Sequence, residues 1–246
     1  LNKGTLVYCD EDGDHESPFF DCEFRNQFFG FTAENQEWYD RRFDIFRSDK
    51  PDWANGWLSA EPLLGPIDLH LGYIAPEDLP FKWIVVGCES GSHRRPCKIE
   101  WVEDIVDQAM SRDIPVFVKN PLNPDLELWT GTLERLSLAG LRRIALVHRG
   151  FSIPGHSRYR NEPEWNLILQ MRSMHPEIPI LCDPSHMGGD SRHVPELSRI
   201  SLDMGYDGLM VEVHPDPSSA LSDSRQQLSP DQFRSMLSTL SLRNCD

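Results

Sequence analysis

Ile178-Pro179-Ile180-Leu181-Cys182-Asp183-Pro184-Ser185-His186 is an apolar run that ends on an acid, a proline and an imidazole. A second run of the same kind, Gly208-Leu209-Met210-Val211-Glu212-Val213-His214, follows it, and Ser222-Asp223 lies beyond. Each apolar run reads as a buried strand, and His186, Glu212 and Asp223 come from separate strand-to-helix connections. They lie too far apart in sequence to share one helix face or one loop. They converge only if their strands lie side by side in a parallel sheet whose carboxyl ends form one rim, and that is the geometry of an α/β barrel. One imidazole and two carboxylates at such a rim are what a divalent metal site requires.

Outward from this stretch, short apolar runs alternate with helical patterns from residue 27 onward. Strands are expected at 28–32, 57–60, 83–87, 116–119, 144–148, 178–182 and 208–213, with a very short eighth at 226–228. Val102, Ile105, Val106 and Ala109 fall at i, i+3, i+4 and i+7, as do Phe233, Met236, Leu237 and Leu240. Leu126, Trp129, Leu133 and Leu136 mark one face of another helix. Pro124-Asp125 and Ser229-Pro230-Asp231 are helix starts, and Gly140 and Gly205 stand where helices should stop.

Repeated βα units with near-continuous apolar strands imply a parallel sheet covered by helices. Eight strands favour a closed (β/α)8 TIM-type barrel over an open doubly wound sheet, and no glycine-rich dinucleotide or P-loop fingerprint points the other way. Residues 1–26 read as an irregular leader with one short strand at 5–8, and residues 27–246 as a single barrel. The acidic patch Asp10-Glu11-Asp12-Gly13-Asp14 reads as a solvated turn, since it lacks the terminal Glu and flanking helix pair of a calcium loop.

A chain of 246 residues suits one barrel, which typically needs about 250. The 39% hydrophobic and 26% charged content is globular, and the net charge of −15 argues against a nucleic-acid partner, which wants a basic stripe. No apolar run approaches the roughly 18 residues of a membrane span, and the start Leu1-Asn2-Lys3-Gly4 lacks a signal peptide's apolar core. A soluble, cytoplasmic protein is expected, and an oligomer is compatible with this composition. Cys9, Cys22, Cys88, Cys97, Cys182 and Cys245 show no paired short spacing. Reduced thiols are therefore expected rather than a zinc knuckle or an iron–sulfur cluster.

Functional groups of a parallel barrel gather at the carboxyl ends of its strands. The polar residues there are Lys119, His148, Arg149, Asp183, His186, Glu212, His214 and Asp223. A lone buried histidine is most often structural, but three ligand types at successive strand ends favour a metal. The donor set would accept Mn²⁺, Fe²⁺, Co²⁺ or Zn²⁺. Lys119 and Arg149 read either as rim residues paired with acids or as anion binders. Each closes an apolar run, where a charge is costly unless it meets an anion.

Residues 115–243 resemble the C-terminal half of DAHP synthase, most closely the branch often fused to chorismate mutase. The motifs are Val118-Lys119-Asn120-Pro121-Leu122-Asn123-Pro124-Asp125-Leu126, His148-Arg149-Gly150-Phe151-Ser152, Tyr159-Arg160-Asn161, Asp183-Pro184-Ser185-His186, Gly208-Leu209-Met210-Val211-Glu212 and Ser222-Asp223-Ser224-Arg225-Gln226-Gln227. The related synthase of an eight-carbon sugar phosphate carries a different signature around the metal histidine. The resemblance implies a transferase of the shikimate pathway, in aromatic amino acid biosynthesis, that condenses phosphoenolpyruvate with erythrose 4-phosphate. It implies that Lys119 and Arg149 hold phosphoenolpyruvate, that His186, Glu212 and Asp223 bind the metal, and that Lys119, Arg149 and His186 are catalytic.

The N-terminal half departs from that pattern. The resemblance places a metal-binding Cys after the first barrel strand and a Lys-Pro-Arg-Thr motif after the second, but Thr32-Ala33-Glu34-Asn35 and Ala60-Glu61-Pro62-Leu63-Leu64-Gly65-Pro66 stand after 28–31 and 57–59. Together with Val85-Val86-Gly87-Cys88-Glu89-Ser90-Gly91 and Arg95-Pro96, these stretches resemble the C-terminal half of an uncharacterised, phage-associated family related to radical-SAM proteins. That family's cluster-binding cysteine triplet is absent from this sequence, so no iron–sulfur chemistry is expected. A barrel joined from two half barrels, 27–114 and 115–246, follows. Two readings stand: a metal-dependent synthase of the DAHP type, and a catalytically inactive chimeric barrel that keeps a partial metal and phosphate site. Cys88 is a candidate for the missing thiolate and Arg94 and Arg95 for lost phosphate contacts; a small buried thiol and a solvated loop pair are the alternatives.

Overall fold

The structure is a computed structural model that describes residues 6–8, 28–49, 55–75, 78–87, 95–155, 158–220 and 223–240. Its strands are β1 (Leu6–Tyr8), β2 (Phe28–Thr32), β3 (Asn55–Ala60), β4 (Trp83–Val86), β5 (Val116–Lys119), β6 (Ile144–His148), β7 (Ile180–Cys182) and β8 (Gly208–Leu209). They form one parallel sheet in sequential order, each strand paired with the next. The principal helices are α1 (Gln36–Asp49), α2 (Ile99–Ser111), α3 (Leu126–Leu138), α4 (Trp165–Met174), the short α5 (Pro184–Gly188), α6 (Val194–Asp203) and α7 (Pro230–Thr239). No helix among the described residues is long and apolar enough to cross a membrane.

The sheet starts and stops at different places from those the apolar pattern indicates. Leu6–Tyr8 is the short strand expected at 5–8, but instead of standing apart in an irregular leader it pairs in parallel with Phe28–Gly30 and is the first strand of the sheet. The eighth strand expected at 226–228 contributes only a bridge, Val213 to Leu228. Ser229 is already the N-cap of α7, which leaves that segment no length in which to pair. The remainder of the leader, with Cys9 and Cys22, lies outside the described residues, as do Cys88, Arg94 and Cys245.

Alternation along the strands divides an inner core from an outer one. Trp57, Trp83, Val85, Phe117, Ala145, Val147 and Met210 form one buried interior cluster, against which Leu181 packs. The intervening residues face the helices. Leu58, Ala60, Ile84 and Val116 meet Tyr39, Phe43 and Phe46 of α1 and Ile105, Val106 and Ala109 of α2. Val118, Leu146, Ile180 and Cys182 meet Trp129 and Leu133 of α3 and Ile168 and Met171 of α4.

That the sheet is rolled is measured by Lys119. Strands lie about 4.8 Å apart, so the ends of β3 and β7 would stand roughly 19 Å apart in a flat sheet. Lys119 Nζ at the end of β5 is nevertheless 2.8 Å from Glu61 Oε2, just past β3, and 3.6 Å from Asp183 Oδ2, just past β7. Sequential parallel order, a filled interior and an outer ring of helices make this the (β/α)8 architecture.

The helix ends obey local chemistry. Asp125 accepts from the Leu128 N–H at 2.8 Å to start α3. Ser229 and Gln232 form a reciprocal capping box at the start of α7, with bonds of 2.8 and 3.3 Å. Gly140 and Gly205, at φ 100° and 88°, terminate α3 and α6 in a backbone region that residues with a Cβ avoid.

Candidate active site

Period-two alternation selects the groups at the rim. Phe117, Val147 and Leu181 face the interior, so Lys119, Arg149 and Asp183, two residues further on, share their phase and turn to the mouth of the barrel. His148 is one residue out of phase and packs in the helix layer. It is fully buried, with Nδ1 2.7 Å from the Tyr206 hydroxyl, and burial pushes its pKa down to about 3. His148 is thus a neutral core residue and not a rim group. His214 spends its Nδ1 accepting the Asp216 N–H at 3.0 Å, which caps a turn.

The remaining candidates converge. Asp183 Oδ1 accepts from the His186 N–H at 3.0 Å, which caps α5, and Oδ2 lies 2.8 Å from His186 Nδ1. The imidazole is thereby oriented with Nε2 toward Glu212 Oε1 at 3.5 Å and Asp223 Oδ2 at 4.0 Å. Each of these carboxylates is fixed by its other oxygen: Gln226 Nε2 donates to Glu212 Oε2 at 2.8 Å, and Arg160 donates to Asp223 Oδ1 at 2.8 Å. The Glu212 N–H donates to Ser185 Oγ at 3.0 Å, which ties the segment after β8 to α5.

One atom from each of His186, Glu212 and Asp223 lies within 4.8 Å of the others. Donors around a first-row divalent metal at about 2.0–2.2 Å stand roughly 3–3.5 Å apart, so a small contraction closes the shell. A carboxylate on the far nitrogen of a metal-binding histidine is the usual outer partner of such a site, and Asp183 fills that place. The donor set fits a divalent metal.

The electrostatics follow from burial and pairing. Burial alone would raise the Asp183 carboxyl, but the His186 and Lys119 charges hold it well below the usual carboxylate range. Burial opposes a charged His186, yet Asp183 and Glu212 outweigh it and its pKa is raised. Burial, with the nearby Asp183 charge, raises Glu212 against the pull of His186. Lys119 is raised because Glu61 and Asp183 overcome its desolvation.

Lys119 and Arg149 sit as expected at the rim, but Lys119 already has acids for company. Asn120 holds the two loops together: it accepts the Arg149 N–H at 2.7 Å and donates to the Gly150 carbonyl at 2.8 Å. Arg149 Nε is buried with no hydrogen-bond partner among the described residues. The sequence pattern does not single out Glu61, nor does it assign roles to Gln226 and Arg160. Glu61 could have been found by its position, one residue past the end of β3. Gln226 and Arg160 lie in loops and carry no periodic signal.

Residues 102–243 match the DAHP synthetase I family, and residues 8–123 match a family of proteins of unknown function, DUF5131. A phospho-2-dehydro-3-deoxyheptonate aldolase of Thermotoga maritima is 32% identical over 133 residues, covering 54% of this chain and 39% of that protein. A 2-dehydro-3-deoxyphosphooctonate aldolase of Nitratidesulfovibrio vulgaris is 33% identical over 124 residues, covering 44% of this chain and 42% of that protein. The matches thus span about two fifths of these relatives' length. The fold is that of two solved structures, the Thermotoga maritima DAHP synthase and a truncated form of it. Their TM-scores are 0.66 and 0.67 at 21% identity, covering 96% of this chain and 67% and 84% of theirs.

Proposed function

The chain belongs to the DAHP synthetase I family, and from that premise we propose that its rim is a metal-assisted condensation site for phosphoenolpyruvate and erythrose 4-phosphate. In this reading His186, Glu212 and Asp223 hold a divalent ion, and Lys119 and Arg149 receive the phosphate and carboxylate of phosphoenolpyruvate. When bound, Mn²⁺, Fe²⁺, Co²⁺ or Zn²⁺ supplies Lewis acidity toward an aldehyde oxygen or a water. Asp183 keeps the His186 proton on Nδ1, Gln226 and Arg160 keep the two carboxylates aimed, and Asn120 fixes the Arg149 backbone. A carbon–carbon bond forms at the aldehyde, water adds to the enol carbon and phosphate departs.

The observation that carries this reading is the convergence of three ligand atoms, each with its other atom already engaged. Its test is phosphate release from phosphoenolpyruvate with erythrose 4-phosphate and Mn²⁺. Release above a protein-free control, lost in His186→Ala with Glu212→Ala, is expected. Mn²⁺ affinity unchanged in that double variant would sink the ligand assignment.

A second reading, a barrel that binds metal without turnover, is favoured by the acid on Lys119. Folded protein that binds Mn²⁺ and releases no phosphate would leave this reading. In either case we read the barrel as joined from two halves, with the seam in the region 102–123 that both family matches share.

A further inference from the structure

Glu61 lies outside the part of the chain that matches the DAHP synthetase I family and inside the part that matches DUF5131. It nevertheless reaches the centre of the site. Lys119 Nζ is 2.8 Å from Glu61 Oε2 and 3.6 Å from Asp183 Oδ2, while that same Asp183 oxygen is 2.8 Å from His186 Nδ1. The pairs therefore sort themselves: Asp183 serves the imidazole, and Glu61 serves the lysine. The side chains of Glu61 and Lys119 are 17% and 10% exposed, so solvent screens their attraction poorly.

The backbone makes room for this contact. The Gly87 N–H donates to the Ala60 carbonyl at 3.2 Å and the Leu63 N–H to the Gly87 carbonyl at 2.9 Å, which fixes Glu61 against the end of β4. A Cβ at residue 87 would run into the Glu61 carboxylate, so glycine keeps open the lane by which that carboxylate crosses to β5. Glu61 thus neutralises Lys119, while Asp183 stands between Lys119 and His186. An arriving phosphate or carboxylate finds an acid already on that cation.

We propose that Glu61 is a specificity-determining residue, a built-in carboxylate that occupies the anion position on Lys119 and admits only ligands able to displace it. This rests on reading Lys119 as an anion-binding residue. A dianionic phosphoryl group competes with a monocarboxylate more effectively than another carboxylate does. Glu61 thus selects phosphorylated ligands at the cost of affinity.

The test is calorimetric titration of the full chain with phosphoenolpyruvate and, separately, inorganic phosphate, each with and without Mn²⁺. Glu61→Gln should bind both anions about tenfold or more tighter than the unsubstituted protein, with Mn²⁺ affinity unchanged. The gain should vanish when Lys119→Met is added. Glu61→Ser carries the same expectation should Glu61→Gln fold poorly. Equal or weaker anion affinity on removing the acid overturns the proposal, as does absence of anion binding in every variant. A merely structural Glu61 would lower Mn²⁺ and anion affinity together, which also overturns it. Failure of the broader functional reading appears elsewhere, as absent Mn²⁺ binding or absent condensation, because inorganic phosphate affinity is read without turnover.

Discussion

Asp183 is 1% exposed and stands between two cations, His186 Nδ1 at 2.8 Å and Lys119 Nζ at 3.6 Å. Asp183→Asn keeps the shape and removes the charge that orients the imidazole. Mn²⁺ affinity should fall by about 10–100-fold with the fold retained, as read by electron paramagnetic resonance titration. The pH dependence follows from the same contacts. His186 is raised by Asp183 and Glu212 against burial, so it keeps its proton above the ordinary imidazole range, and a metal must displace that proton. Mn²⁺ affinity should therefore climb about tenfold or more from about pH 6 to about pH 8. For stability the signs differ by group. Asp183, depressed by His186 and Lys119 despite burial, stabilises the fold above its unfolded pKa near 4 and loses that contribution as pH falls below it. His186 contributes most below its unfolded pKa near 6.5 and loses that contribution as pH rises through its higher folded value. At this scale His186, Glu212 and Asp223 were legible because strand ends in a parallel barrel share one rim. Glu61 was not, because its partner is two strands away and only the curl of the sheet brings them together. His148 misled because one residue of phase separates the rim from the helix layer.

Among the elements, α7 has the best-defined start. Its reciprocal Ser229–Gln232 cap satisfies two backbone N–H groups, and the bridge from Val213 to Leu228 ends just before it. Ser229→Ala should cost about 1 kcal/mol and lower the melting temperature by about 2–4 °C, measured by circular dichroism. The helix pattern was readable because α2, α3 and α7 each repeat a buried face over several turns. The strands at 116–119 and 144–148 were readable to the residue because each is a continuous apolar run closed by a polar group. Three residues, as in β1, can be read as a strand but are too few to show that they join the barrel sheet. At β8 the apolar run outlasts the pairing: only Gly208 and Leu209 are strand, while Val211 and Val213 pack with Phe233 and Met236 of α7. Apolar character records burial, and here burial is supplied by a helix.

For the whole molecule, the interior cluster joins Trp57, Trp83 and Val85 to Ala145, Val147 and Met210 through Phe117. The first three lie in the part that matches DUF5131 and the last three in the part that matches only the DAHP synthetase I family. A shared core predicts one cooperative unit. Phe117→Ala should destabilise the protein by about 3–5 kcal/mol, and urea unfolding followed by tryptophan fluorescence and by circular dichroism should give a single coincident transition. Two separated transitions would show that the halves fold independently. The sequence pattern told of a barrel through its repeated strand–helix units, although the eighth strand is Leu6–Tyr8 and not 226–228; it did not tell of the interior filling, because alternation does not say which residues meet across the sheet.

Lys119 belongs to the overlap of the two family matches and touches one acid from each side of it. The two matched segments therefore meet at a single, nearly buried ammonium. Loss of the acid at position 61 would leave that cation seeking an external counter-ion, and a second cation there would face direct repulsion. Sequence change on either side of the overlap is thus constrained by charge as well as by the apolar interior.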